Sequence, residues 1–376
     1  MTAHAKLSAS GAHRWMNCPA SISMEEGVPD RGSTFAAEGT AAHEVAENCL
    51  SLGLNACDMS GEEIVVEDQV FVVDDEMVEA VQLYVDYVRD QKGDLLVEKR
   101  VDFSPWVPGG FGTADAIVLD NNVATVIDLK YGRGVKVDAE ENPQAMAYAL
   151  GALYGYDFLF DCETFKLVIV QPRLDHISEW EISRDDLMVW AEDKLKPAAD
   201  LALSDNPPFQ PGDSQCRFCK AKATCRALAD HAHAVVMDGF GGSVKDPAKL
   251  SNEEVAELLP EVDLVTGWAK SLEAYALQQL ETGQDVPGYK LVAGRSTRKW
   301  RDEAEAEAAL RKKLKVGECF SKKLITPPAA EKLLGKGHAI LADHVTKPEG
   351  KPALAPISDK RPALEIDPSQ GFDKVA

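Results

Sequence analysis

The sequence predicts an α/β fold, a mixed central sheet flanked by helices, and three observations predict it. Between residues 37 and 205 helical and strand periodicities alternate as a helix, three strands, a helix and further strands. At the centre GTADAIVLDNNVATVIDLK, from Gly112 to Lys130, joins two β-branched runs through Asp120-Asn121-Asn122, the pattern of a β-hairpin. After the next helix FKLVIVQP is almost continuously apolar, as expected of a strand covered on both faces. With 376 residues, 45% of them hydrophobic, the chain has enough apolar side chain for a sizeable core and room for roughly two or three domains.

The elements follow in order. Residues 1–36 are a polar N-terminal segment, in which Ser8 and Ser10 are placed to cap a short helix whose end delivers Cys18. EGTAAHEVAENCLSLG predicts a helix carrying His43, Ala46 and Leu50 on one side and ending at Gly53. Residues 55–75 read as an acidic loop with a short strand. Val78, Val81, Val85 and Val88 then form the apolar stripe of a helix from Asp75 to Gln91, stopped by Gly93. LLVEKRV, residues 95–101, is the first strand of the sheet, and Pro105, Pro108, Gly109 and Gly110 mark the loop to the hairpin. ISEWEIS alternates and suits an edge strand, and residues 184–203 form an amphipathic helix. Beyond the 37–205 core lie a cysteine region (206–240), a helical and basic region (241–345) and a tail rich in Pro, Lys and Asp (346–376), which is expected to be disordered. In the second of these a helix over 251–282 is expected to break at Pro260.

Charge narrows the function classes. A net charge of -22 argues against a protein that coats nucleic acid by bulk electrostatics. The excess is local: residues 38–102 hold 17 acidic and 4 basic side chains, whereas residues 295–323 hold 10 basic and 5 acidic. The segment around Arg295, Arg298, Lys299 and Arg301, with Tyr289 and Trp300 nearby, reads either as a surface that tracks a nucleic-acid backbone or as a solvated charged face. No run approaches the ~20 apolar residues of a membrane span, so no membrane partner is expected. The N-terminal residues show no apolar signal region, which gives a cytoplasmic expectation.

The chemistry-bearing residues concentrate on the hairpin and the helix after it. Asp115 lies in the first strand; Asp128 and Lys130, two apart in the second, share a face. Gln144 and Tyr148 are an i, i+4 pair on the following helix. Two readings are open: a solvated ion pair on an edge strand, or a hydrolytic site in which carboxylates hold a hard divalent cation beside an ammonium. Glu98 reads either as support for that site or as a partner of Lys99 or Arg100. Cys216, Cys219 and Cys225 form C-x2-C-x5-C, a metal spacing open to zinc, with Cys18 or His231 as fourth ligand, or to an iron-sulfur cluster. Cys49, Cys57, Cys162 and Cys319 are scattered singles.

Taken together, Gly39-Thr40-Ala41-Ala42-His43, Val97-Glu98, Gly112-Thr113-Ala114-Asp115, Asp128-Leu129-Lys130 and Gln144-x-x-x-Tyr148 resemble, in order, the motifs of RecB-like nucleases of the PD-(D/E)XK superfamily. The layout, including the tail LAPISDKRPALEID, resembles a phage- and prophage-encoded branch of that family. The resemblance implies a restriction-endonuclease-like core and Mg²⁺- or Mn²⁺-dependent DNA exonuclease activity in phage replication or recombination. His43, Asp115, Asp128 and the Leu129 carbonyl would be metal ligands, Lys130 would serve the attacking water and the phosphate, and Gln144 and Tyr148 would orient Lys130 or touch DNA. The implied substrate is DNA, single-stranded or with free ends, in a bacterial host cytoplasm, with a phage annealing or single-strand-binding protein as a partner. In the AddB-type and CRISPR-associated adaptation relatives, one cysteine before the His motif and three after the core hold a [4Fe-4S] cluster, and Cys18 with Cys216, Cys219 and Cys225 matches that arrangement. The contrasting expectations are a non-catalytic nucleic-acid-binding protein on the same fold and a structural zinc module serving as a recombination partner.

Overall fold

Five strands form the central sheet in the order β3-β4-β5-β6-β7. The computed structural model describes residues 5–28, 34–240 and 252–290, all within one compact unit, Met1–Val292. The basic segment from Arg295 to Lys323, Cys319 and the tail lie outside the described residues. Strands β3 (Asp94–Asp102), β4 (Phe111–Asp120) and β5 (Val123–Leu129) are successive antiparallel neighbours. The β4–β5 turn is two residues long, and Asn121 takes φ +50°, a left-handed conformation that Asn tolerates. Strand β6 (Thr164–Gln171) runs parallel to β5, and β7 (His176–Ser183) closes the far edge antiparallel to β6. The crossover between β5 and β6 is the helix Pro143–Phe160, as a parallel pair requires. A separate hairpin, β1 (Glu63–Val66) with β2 (Gln69–Val72), replaces the acidic loop and single strand expected there.

The helices are α1 (Ala12–Asn17), α2 (Ser21–Glu25), α3 (Thr34–Leu52), α4 (Asp75–Arg89), α5 (Pro143–Phe160), α6 (Arg184–Trp190), α7 (Lys196–Ala202), α8 (Asp213–Arg217), α9 (Arg226–Phe240) and α10 (Asn252–Glu281). Their ends follow local chemistry. Asp74 caps α4 by accepting from the Met77 amide, Asn142 caps α5 by accepting from Gln144 and Ala145, and Gly53 ends α3 at φ +71°. The 184–203 helix is divided by one π-helical turn, Ala191–Leu195. Helix α10 continues through position 260, so the expected break does not occur; proline removes one ladder bond but packing on α9 and α8 holds the rest. Among the described residues no helix is long and apolar enough to cross a membrane.

Two cores sandwich the sheet. On one face Ile117, Leu119, Val126, Phe165, Leu167 and Ile169 pack under α5. On the other, Ala116, Val118, Ile127, Leu129, Val168 and Val170 pack under α3 and α4. Strands β5 and β6 are therefore buried on both sides, which explains their unbroken apolar runs. Each fully buried Leu, Ile or Phe contributes roughly 1.5–3 kcal/mol. Helix α5 sits close to the sheet because Gly151 has no side chain; a Cβ there would fall 2.6 Å from the Cβ of Val101.

Candidate metal and cysteine sites

The β3–β4 ladder is broken at one level. Val97 pairs with Ala116 and Lys99 with Ala114, while Glu98 and Asp115 between them leave no paired rung. Ala114 and Ile117, three apart, both pack under α5, and so do Leu96 and Val101, five apart. Strict alternation puts only even separations on one face, so both strands change face at Glu98 and Asp115. Glu98 adopts φ +44°, a conformation a non-glycine residue holds only when its surroundings fix it. The consequence is two carboxylates opposite each other on neighbouring strands at the one unpaired rung.

Helix α3 brings His43 to the same point. Nδ1 of His43 lies 3.3 Å from Asp115 Oδ1, and Asp115 Oδ2 accepts a 2.7 Å hydrogen bond from the Leu129 amide. One ligand atom each from His43, Glu98 and Asp115 fall within 4.8 Å of one another, a set able to hold a metal ion. The electrostatics fit a cation. Burial first and the Asp115 charge second push the Glu98 carboxyl up to about 7, against the pull of His43. For His43 burial opposes the charged form, but the charge and hydrogen bond of Asp115, with Asp128 behind it, outweigh burial and raise the imidazole to about 9.

Beside this trio sits a second, linked network. Asp128 is 2% exposed on the central strand, so the edge-strand reading of Asp128 and Lys130 does not hold: β5 has neighbours on both sides and α5 above it. Lys130 Nζ donates to Asp128 Oδ1 at 3.2 Å and to Gln144 Oε1 at 3.0 Å, while Gln144 Nε2 donates to Asp128 Oδ1 at 2.9 Å and to the Tyr148 hydroxyl at 3.3 Å. Asp128 Oδ2 is 2.9 Å from Lys130 Nζ yet has no aligned hydrogen bond, leaving a buried carboxylate oxygen with a free lone pair. Burial raises the Asp128 carboxyl, partly offset by Lys130. Lys130 is held above its ordinary value because Asp128 and Asp115 outweigh burial. The GTAD glycine has a local reason: a Cβ on Gly112 would lie 2.7 Å from Tyr148 Cε1, so only glycine admits the ring that braces Gln144.

The four cysteines of the second site come from two segments far apart in the chain. Cys18 caps the C-terminus of α1, Cys216 lies on α8, Cys219 follows it and Cys225 precedes α9. All four line one pocket with Met24, Phe209 and Leu228, and all are free thiols. Backbone amides point at the sulfurs: Gln210 to Cys18 and Gly212 to Cys216, each at 3.5 Å. Burial is the main cause that pushes the Cys219 thiol up to about 12. The two chain segments are clasped around the pocket by the Lys220 amide on Glu25 (2.8 Å), a carboxylate that Arg14 also pairs at 2.8 Å, and by the Ala20 amide on the Pro208 carbonyl (3.1 Å).

The family model described as "Protein of unknown function (DUF2800)" matches residues 4–362. The chain belongs to this family. Among solved structures it is similar to one titled "Crystal structure of SSO0001", at 20% identity over 58% of this chain and 85% of that one, with a TM-score of 0.25.

The structure brings together His43, Asp115, Asp128, Lys130, Gln144 and Tyr148, all singled out from the sequence, and separately Cys18, Cys216, Cys219 and Cys225. Leu129 enters through its amide on Asp115. Two open alternatives are narrowed. Glu98 does not pair with Lys99 or Arg100 but joins His43 and Asp115, because the ladder break turns it toward α3. His231 bonds Glu261 at 3.0 Å and is absent from the cysteine pocket, so the fourth position there is Cys18. Sequence reasoning also missed Tyr84 of α4, a fully buried residue whose hydroxyl has no partner among the described residues. Burial first, then the charges of Asp115, Asp128 and Glu98, raise that hydroxyl well above its ordinary value. Its helical stripe signalled only core.

Proposed function

We propose that this protein is a metal-dependent DNA nuclease on a PD-(D/E)XK-type core, an exonuclease of phage replication or recombination. The observation that carries the reading is the meeting of the Asp128–Lys130–Gln144 network with the His43–Glu98–Asp115 trio at the unpaired rung of the β3–β4 ladder. Opposed carboxylates with a raised Glu98, an imidazole and an unsatisfied Asp128 oxygen form an oxygen-and-nitrogen donor set suited to Mg²⁺ or Mn²⁺. His43, Asp115, Glu98 and Asp128, with the Leu129 carbonyl, would hold it. A bound divalent ion supplies a more acidic water and offsets charge on the phosphate.

The chain's own residues do the rest. Asp128 and Gln144 fix the Lys130 ammonium, so it meets the substrate as an oriented charged donor to a phosphate oxygen or to the attacking water. Preorganised donors of this kind lose little free energy to reorganisation during the reaction. Tyr148 braces Gln144, and Leu129 locks the rotamer of Asp115. No side chain needs to become covalently attached to the substrate.

The cysteine pocket is read as a [4Fe-4S] site holding Cys18, Cys216, Cys219 and Cys225. Four thiols around one pocket, with backbone amides directed at the Cys18 and Cys216 sulfurs, suit thiolate ligation; zinc is the alternative occupant. The test of both assignments is anaerobically purified full-length protein incubated with end-labelled single- and double-stranded DNA and Mn²⁺, alongside iron and zinc analysis. Shortened DNA products that disappear with EDTA and with Asp115→Asn, which keeps the acceptor for the Leu129 amide, are expected. DNA left intact by the wild type, or cleaved equally by Asp115→Asn, overturns the nuclease reading.

A further inference from the structure

The exposed side of the opened sheet carries a feature that the hydrolytic site does not use. Arg100 stands opposite Thr113 in the β3–β4 ladder, two residues from the Glu98 and Asp115 level. Its guanidinium carbon lies 3.7 Å above the centroid of the Phe111 ring. Arg100, its neighbour Lys99 and Thr113 are all exposed. Among the described residues Arg100 has no carboxylate partner, in a chain with 62 acidic side chains against 40 basic ones. Asp102, the next acid in the row, is already engaged by the Ser104 amide at 2.8 Å.

Strand geometry sets the scale. Two residues along a strand span about 7 Å, so the Arg100 backbone stands one such step beyond the carboxylate level, and its guanidinium leans onward over Phe111, which pairs with Asp102 at the next level out. Stacking on an aromatic ring fixes the guanidinium plane and leaves its edge donors free, the arrangement that suits bidentate contact with a phosphate. The Phe111 ring is only half-buried, and its exposed part offers a base an apolar contact beside the guanidinium. Cation, hydroxyl and aromatic ring thus repeat along the row what a single nucleic-acid strand presents as phosphate, sugar and base.

We infer that Arg100, seated on Phe111 with Thr113 beside it, binds a phosphodiester flanking the one cleaved and so sets the path of a single nucleic-acid strand along the Asp102–Phe111 end of β3 and β4. The inference rests on the nuclease reading for what happens at the neighbouring phosphate, but binding is measurable apart from cleavage.

The experiment is fluorescence anisotropy of full-length protein with a labelled single-stranded thymidine oligonucleotide, without divalent metal, over a salt titration, with Mn²⁺-dependent cleavage scored in parallel. Arg100→Ala is expected to weaken binding about tenfold at low salt and to reduce the slope of log affinity against log salt by about 0.7, one phosphate contact on a single strand. Arg100→Lys should keep the slope while losing part of the affinity, since a lysine does not stack as a planar fork. Phe111→Ala should lose affinity at unchanged slope. Wild-type affinity and slope in Arg100→Ala overturn the inference, and cleavage intact in that variant shows that the nuclease reading survives alone. Arg100-dependent binding without any cleavage by the wild type supports the strand path and overturns hydrolysis. No binding of the strand by the wild type overturns the inference outright.

Discussion

The two candidate sites are built on opposite physical plans. The central site is largely pre-assembled: most of its charged groups have an answering partner within the sheet and its flanking helices, as with Asp115 on Leu129 and Lys130 on Asp128 and Gln144. The cysteine site brings thiols that are nearly two hundred residues apart into one pocket and supplies them with little besides backbone amides. A bound ion would therefore complete the first and hold together the second. The lesson is that two candidate metal sites in one chain need not respond alike to the presence or absence of an ion.

The largest effect should fall on the cysteine site. Replacing Cys216 or Cys18 with Ala should remove the iron, bleach a broad absorbance near ~400 nm and destabilise the fold by on the order of 5 kcal/mol, the chain-entropy value for closing a loop of about two hundred residues. Thermal unfolding followed with metal analysis checks this. The same change at Cys162, a buried single, should leave the colour intact. A colourless wild type with one zinc per chain would replace the cluster while keeping the contrast.

Next come the paired charges of the central site. Lys130→Ala should abolish cleavage and cost about 3–5 kcal/mol, because it leaves Asp128 buried with Gln144 as its remaining hydrogen-bond donor. Treatment with EDTA should stop cleavage with far less loss of stability. If EDTA lowers the melting temperature as much as Lys130→Ala does, the pre-assembled description of this site is wrong. Gly112→Ala should cost about 1–3 kcal/mol through overpacking against Tyr148 and reduce turnover more than substrate binding; unchanged turnover would detach Tyr148 from the site.

The smallest effect has the opposite sign. Glu98 is raised to about 7 from its ordinary 4.5, so its ionisation opposes folding. The stability it contributes is present below pH 4.5 and is lost as the pH rises through about 7. Glu98→Gln should therefore stabilise the metal-free protein at pH 8 by on the order of 1 kcal/mol, while weakening Mn²⁺ binding. Chemical denaturation at pH 4 and pH 8 checks it. A destabilised variant at pH 8 would mean that Glu98 contributes through packing rather than repulsion.

Local chemistry in the sequence determined the elements and most of the residues in the central site. The Asn121-Asn122 turn, the Asn142 cap and the stop at Gly53 are short-range and legible, and the apolar run of β6 announced a strand buried on both faces. Periodicity put Asp128 with Lys130 and Gln144 with Tyr148 because those pairs are two and four residues apart on regular elements. Tertiary structure alone decided what lies beyond a strand's or a helix's own period. That β5 sits mid-sheet, and so buries Asp128, depends on its long-range pairing with β6. The role of Glu98 depends on a ladder break between two strands, and alternation within either strand would have turned it elsewhere. That Cys18 rather than His231 completes the cysteine pocket depends on α1 packing beside α8, a contact between distant segments that no local spacing encodes.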